Sequence, residues 1–342
     1  MSKYTEKCIV KRNTAQKLVV ISCILAIVTL SGCELLGINT TPGQTTPGST
    51  PGTPGTPGST TTPPTTDPNL PPSYYDFPEP EAPGISVKSN EQAIIDYSNS
   101  NLGYFMARSL VDTATLFRVL IIGPGEQQYN FVLQPNSDFQ AFPFPFGNGN
   151  YSVGVYENIE GDRYSTVLTH SIDVVITDEF APFLRSNQYV DFNRNTKAVS
   201  KAAELVAGID DMLEKVEAIY DFVIANFTYD YELAEAVQSG YVPDLDAFMQ
   251  RGKGICFDYA SLMTAMLRSQ GIPTKLVIGY VGDVYHAWIS VYSDEHGWIR
   301  GIIRFDGHEW TRMDPTYTSN SDNPATISFI GDGANYHPIF FF

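Results

Sequence analysis

From Asn39 to Gly84 the chain is built almost wholly from Thr, Pro, Gly and Ser, with repeats such as TPGTPGTPGST. So few apolar residues cannot offset the entropy of ordering a backbone. The tract therefore predicts a disordered tether, and it divides the chain into a short leader before it and about 258 residues after it. Proline stiffens such a segment, at ~3.1 Å per residue, so it reaches on the order of 100 Å. That span is enough to carry a domain through a thick cell wall.

The leader carries Lys3, Lys7, Lys11, Arg12 and Lys17, then an uncharged run from Leu18 to Leu30. A basic start followed by an apolar segment too short to span a bilayer comfortably is the plan of an export signal. The run ends Leu30-Ser31-Gly32-Cys33, which resembles the lipobox of bacterial lipoproteins. That resemblance implies cleavage before Cys33 and lipidation of this cysteine. The expected localisation is then extracytoplasmic, on the bacterial cell membrane through a lipid anchor. The four expected parts are a signal peptide (1–32), a lipidated Cys with its tether (33–84), a β-rich accessory domain (85–190) and a catalytic domain (191–342).

Net charge is −17, and loss of the leader's five bases and one acid takes it to about −21. Such a surface is repelled by nucleic acid and by anionic lipid. Protein or peptide substrates at the cell surface or wall, basic ones bearing Lys above all, are the expected partners.

With Cys8 and Cys23 in the leader and Cys33 consumed by lipid, Cys256 is left without an intrachain partner. Exported proteins pair or avoid cysteines, so a retained single thiol points to use. It lies in GKGICFDYASLMTAMLRSQGIP, where Gly252 and Gly254 interrupt the preceding structure. Helical signals run from Cys256 to Gln270, with Gly271 as the stop and Pro273 beyond. The first turn of a helix has unpaired N–H groups and partial positive charge, which favour a thiolate and supply an oxyanion donor. His286 follows 30 residues on, in the strand-like run VYHAWISVY, and Asp314 another 28 residues on, in HEWTRMDPTY. A thiol, an imidazole to move its proton and a carboxylate to fix the imidazole are the parts of a cysteine acyl-transfer site. Asp258, two residues past the cysteine, reads as structural.

The stretch from Tyr229 to Tyr317 resembles the transglutaminase-like superfamily. The motifs are Gly254-Ile255-Cys256, His286-Ala287-Trp288 and Asp314-Pro315-Thr316. The resemblance implies Cys256 as nucleophile, His286 as base and Asp314 as its orienter, acting on protein or peptide amides through a thioester. Animal members place a Trp upstream of the cysteine as second oxyanion donor; here Tyr229 stands as the candidate. The same fold serves cysteine proteases and amidases, and also surface modules that bind without catalysis, so those two readings stand beside acyl transfer. No His or Cys pair has zinc spacing and no calcium loop is present, so no metal and no cofactor is expected.

The expected architecture is α+β, a papain-like core with the cysteine helix packed on an antiparallel sheet. Strands are expected near 274–281, 284–292, 298–304 and 308–313. Asp210 and Asp211 cap a preceding helix, and 238–254 reads as irregular. In the β-rich part, EQAIIDY reads as a short helix capped by Asn90, with a second, ambiguous helical run at 104–112. Strands follow, and Glu157–Arg163 reads as a turn. His170 is expected to be structural or exposed.

Overall fold

A computed structural model describes residues 75–136, 138–300, 302–305, 310–314, 316 and 335–342. The leader expected to direct export, Cys33 and the tract up to residue 74 lie outside the described residues. The chain is α+β, a β-rich N-terminal region followed by a helix-and-sheet core.

The N-terminal strands are β1 (Val87–Ser89), β2 (Ala93–Asp96), β3 (Tyr104–Ser109), β4 (Phe117–Ile122), β5 (Gln128–Leu133), β6 (Gln140–Pro143), β7 (Gly149–Glu160) and β8 (Arg163–Val174). They form two antiparallel sheets, ordered β1-β2-β3-β6 and β5-β4-β7-β8. In the second sheet, alternation sends Phe117, Val119 and Ile121 inward beside Leu133, Phe131 and Tyr129 of the neighbouring strand. Ala93, Ile95, Phe105, Ala107 and Phe142 of the first sheet join the same core.

The run EQAIIDY is not a helix. Asn90 does act as a cap-like acceptor, but its Oδ1 takes the Gln92 and Ala93 N–H groups at 2.9 Å to close a turn, and β2 follows. The same local bond serves a helix start or a turn, so the signal was ambiguous. The run at 104–112 is likewise β3, whose Tyr104–Ala107 are buried. The turn expected at Glu157–Arg163 shrinks to Gly161–Asp162 because both long strands continue into it. Residues 75–84, expected within the tether, pack against the fold. Phe77 is 1% exposed with its ring 5.1 Å from Phe192, and Arg194 pairs with Asp76 at 2.5 Å.

The C-terminal part opens with helices Lys197–Leu205 and Met212–Asn226, the second capped by Asp211 accepting Leu213 and Glu214 N–H groups. β9 (Thr228–Tyr229) follows, then short helices Tyr231–Ala236 and Leu245–Arg251. The segment 238–254 is thus not irregular throughout: Asp244 caps a helix by accepting the Ala247 N–H. β10 (Lys253–Gly254) pairs in parallel with β9 and leads into the helix Cys256–Arg268, buried from Asp258 to its end. β11 (Thr274–Val281), β12 (Val284–Ser293) and β13 (Gly297–Arg300) come next. β14 (Ile302–Phe305) and β15 (Trp310–Met313) make a hairpin, and β16 (Tyr336–Phe341) ends the chain's order. The sheet runs β13-β12-β11-β16. The strand expected at 298–304 is therefore two strands belonging to different sheets.

The described residues fall within one compact unit. Its main core runs without a break from Phe77 through both N-terminal sheets and the cysteine helix to Phe342. Arg268, fully buried at the end of that helix, ties the regions together. Its guanidinium donates to the carbonyls of Thr274 at 2.9 Å, Arg185 at 2.5 Å and Phe342 at 2.6 Å. Burial lowers its pKa to about 9.

Candidate active site

Cys256 is the first residue of its helix, and the extended Ile255 (φ −100°, ψ 173°) is the N-cap. The sequence folds this way because the neighbouring groups leave the backbone little choice. A Cβ on Gly254 would lie 2.7 Å from Asp258 Oδ2 and 2.7 Å from the Phe248 ring, so only glycine lets the chain approach so closely. Asp258 then reaches back, its Oδ2 accepting the Ile255 N–H at 2.8 Å, while Tyr241 donates to Oδ1 at 2.6 Å. Burial raises the Asp258 pKa against the pull of these donors. The reading of Asp258 as a structural group agrees with this geometry. The cysteine itself is a free thiol, half-buried at the helix start.

β12 supplies His286. Its neighbours Ala287, Ile289 and Val291 enter the main core, whereas Trp288 joins Val277 and Val281 in a small cluster of its own. The His286 ring is 4% exposed and stacks on Trp288 at 6.1 Å. Its Nε2 donates to Asp314 Oδ2 at 2.7 Å, and the ring also hydrogen-bonds the Cys256 side chain. With Nε2 committed to the carboxylate, Nδ1 is the nitrogen left to face the thiol. Burial works against the charged ring, but the Asp314 charge and hydrogen bond, joined by Cys256, outweigh it and raise the imidazole to about 10.

Asp314, just past β15 and 4% exposed, has its other oxygen occupied by the Thr316 N–H at 3.1 Å. Tyr336, at the start of β16, donates a second hydrogen bond to Oδ2 at 3.1 Å. The three residues expected to meet are thus brought together across a helix, a strand and the end of a hairpin.

Tyr229 sits in β9 opposite Gly254, two residues before the thiol, with its ring edge-on to Tyr231 at 5.0 Å. Two tyrosines were missed. Tyr336 comes from a strand with no motif to mark it. Tyr285, the residue before His286, is half exposed and lies in the electrostatic reach of Cys256. His170 packs at 4.7 Å against Tyr97, and His296 lies 3.6 Å from Glu295. Among the described residues, no group of three or more His, Cys, Asp or Glu side chains could hold a metal.

Residues 199–301 match the family model of the transglutaminase-like superfamily. That stretch carries both the cysteine helix and the histidine strand, so it is there that the chain is similar to the transglutaminase-like superfamily. Among curated proteins, it is similar to the uncharacterized protein YebA of Bacillus subtilis (strain 168), 32% identical over 118 residues. That alignment covers 29% of this chain and 16% of YebA. It is also similar to the uncharacterized protein ML0607 of Mycobacterium leprae (strain TN), 27% identical over 184 residues, covering 53% of this chain and 60% of that one. The chain therefore spans less than two thirds of either relative's length. Among solved structures, the periplasmic domain of TgpA from Pseudomonas aeruginosa aligns over 68% of this chain and 95% of its own, at 16% identity and a TM-score of 0.30.

Proposed function

We propose that this protein is a thiol acyltransferase acting on protein or peptide amides, with Cys256 as nucleophile, His286 as proton carrier and Asp314 as its orienter. The observation that carries the reading is one buried imidazole bonded to a carboxylate on one side and a thiol on the other. A ring raised to about 10 is charged at neutral pH, so it is poised to deliver a proton.

The chemistry follows. The Cys256 sulfur, whose proton the His286 imidazole has taken, attacks the amide carbonyl carbon and the carbonyl electrons move to oxygen, where the helix N–H groups at Cys256 are the available donors. The oxyanion collapses, the C–N bond breaks, and the imidazolium gives its proton to the departing amine. A thioester remains on Cys256. An incoming Lys amine, deprotonated by the imidazole, then attacks the thioester carbon, forms an isopeptide bond and releases the thiol sulfur. Water in place of the amine gives the acid. Tyr229 is the candidate second oxyanion donor.

The acidic surface favours basic, Lys-bearing acceptors. The leader and the Leu30–Cys33 motif support export and attachment to the cell membrane by lipid on Cys33, with the tether holding the catalytic part at the surface or wall.

The test is to incubate the full chain with a glutamine-rich protein and a labelled primary amine, and to weigh the products. Covalent label lost in Cys256→Ala is expected. Cleaved, unlabelled fragments would instead make it a protease, and a bare amide-to-acid change a deamidase. No product of any kind, with slow alkylation of Cys256, would overturn catalysis in favour of a binding module.

A further inference from the structure

Asp314 has more partners than a three-residue relay requires. Its Oδ2 is shared between His286 Nε2 at 2.7 Å and the Tyr336 hydroxyl at 3.1 Å, and its Oδ1 takes the Thr316 N–H. A carboxylate so nearly buried needs such donors, and how they divide its lone pairs decides where it points.

Tyr336 is itself held firmly. Its ring meets Trp288 edge-on at 5.1 Å, and Trp288 in turn stacks on His286. His286, Asp314, Tyr336 and Trp288 thus close a circuit of contacts, so no member turns without displacing the next. The strand that brings Tyr336 is anchored at both ends. Gly282 N–H donates to the Asn335 carbonyl at 2.9 Å, and Phe342 and Leu276 exchange N–H···O bonds at 2.8 and 3.0 Å. Between these anchors the register of β16 on β11 shifts at Gly279, where a Cβ would stand 2.2 Å from the His337 carbonyl oxygen.

We propose that Tyr336 is a positioning residue of the active site: its hydroxyl fixes the Asp314 carboxylate in the plane that His286 uses and draws charge from the shared oxygen. The proposal rests on the acyl-transfer reading for its kinetic consequence, but not for its electrostatic one. A hydroxyl donating to Oδ2 competes with the imidazole for that oxygen, which weakens the carboxylate's hold on the ring proton. Among the described residues, titratable groups facing the ring include Cys256 from the helix, Asp314 after β15 and, through Asp314, Tyr336 from β16.

Tyr336→Phe keeps the ring on Trp288 and removes only the hydroxyl. In the full chain, NMR titration of the His286 ring is expected to move upward by about 0.5 to 1 pH unit relative to wild type. Placing 3-fluorotyrosine at position 336 makes the hydroxyl a stronger donor and is expected to move the same titration downward. In the amine-incorporation assay, Tyr336→Phe is expected to lower kcat about 3- to 30-fold with KM unchanged. An unmoved His286 titration in both variants would overturn the proposal, as would shifts of the same sign. If wild type forms no product while the titrations move in opposite directions, the acyl-transfer reading fails and the role of Tyr336 in orienting Asp314 stands.

Discussion

Replacing Asp314 by Asn removes the counter-charge from an almost fully buried ring while keeping an acceptor of nearly the same shape. The ring stands at about 10 against an ordinary 6.5. At about 1.4 kcal/mol per tenfold change in proton affinity, that is on the order of 5 kcal/mol, the net of Asp314 and Cys256 raising the ring against burial that lowers it. The thiol's own titration would enter any measurement on wild type, so the comparison is Cys256→Ala against Cys256→Ala/Asp314→Asn. Urea midpoints would be followed from about pH 5.5 to about pH 10.5. In the single variant the folded ring keeps its proton where the unfolded ring has lost it. Its stabilisation is therefore complete below about 6.5 and falls by up to ~1.4 kcal/mol per pH unit as the pH rises towards the folded ring's raised pKa, which loss of Cys256 leaves below the wild-type value of about 10. In the double variant burial is unopposed, the folded ring stays neutral and this decline is absent. The gap between the two proteins is expected to be several kcal/mol at about pH 6 and to narrow steadily as the pH rises through that folded pKa. A gap that stays constant across the window would refute the charged pairing of His286 with Asp314.

Arg268→Met removes the donor that the Thr274, Arg185 and Phe342 oxygens share and is expected to cost ~3–5 kcal/mol, read as a lower urea midpoint; an unchanged midpoint would contradict the clamp. Gly279→Ala drives a methyl into the His337 carbonyl and is expected to cost ~1–3 kcal/mol while slowing product formation, because the strand it displaces carries Tyr336. Tyr229→Phe is expected to lower kcat about 100-fold with little change in KM if its hydroxyl meets the oxyanion; a loss under about threefold removes it from that role. Cys33→Ala is expected to abolish labelling by a fatty-acid probe, and persistent labelling would sink the lipobox assignment.

The site was legible in the sequence where chemistry is carried by local pattern. A glycine break before Cys256, a Gly-Ile-Pro stop after its helix and period-two alternation around His286 each define an element on their own. The same logic failed where two conformations share a signal. Asn90 before an apolar run could cap a helix or close a turn, and only burial in the N-terminal core selects the turn and β2. The helix at Leu245–Arg251 was hidden because its seven residues are too few to show a period, although Asp244 was there to cap it. Tyr336 could not be found from sequence at all. It reaches Asp314 because β16 pairs with β11, a partnership between segments separated by more than 50 residues and announced by no motif.

The junction of the two regions has a kinetic meaning. Phe341 N–H donates to the Tyr129 hydroxyl at 2.7 Å across 212 positions of chain, and the Phe342 ring lies edge-on to Tyr129 and Phe131 at 5.1 and 5.8 Å. Closing so long a loop is entropically costly and is rewarded only when both partners are already formed. The β4–β5 pair must therefore wait for β16, and β16 for β11, before either half has its complete interior. Folding is then expected to be slow and late-closing, with the carboxylate of the relay among the last groups to be ordered, since the strand that steadies it is the one that arrives last. A lesion in the β4–β5 hairpin, far from the thiol, would for that reason be felt first as a loss of active protein during refolding.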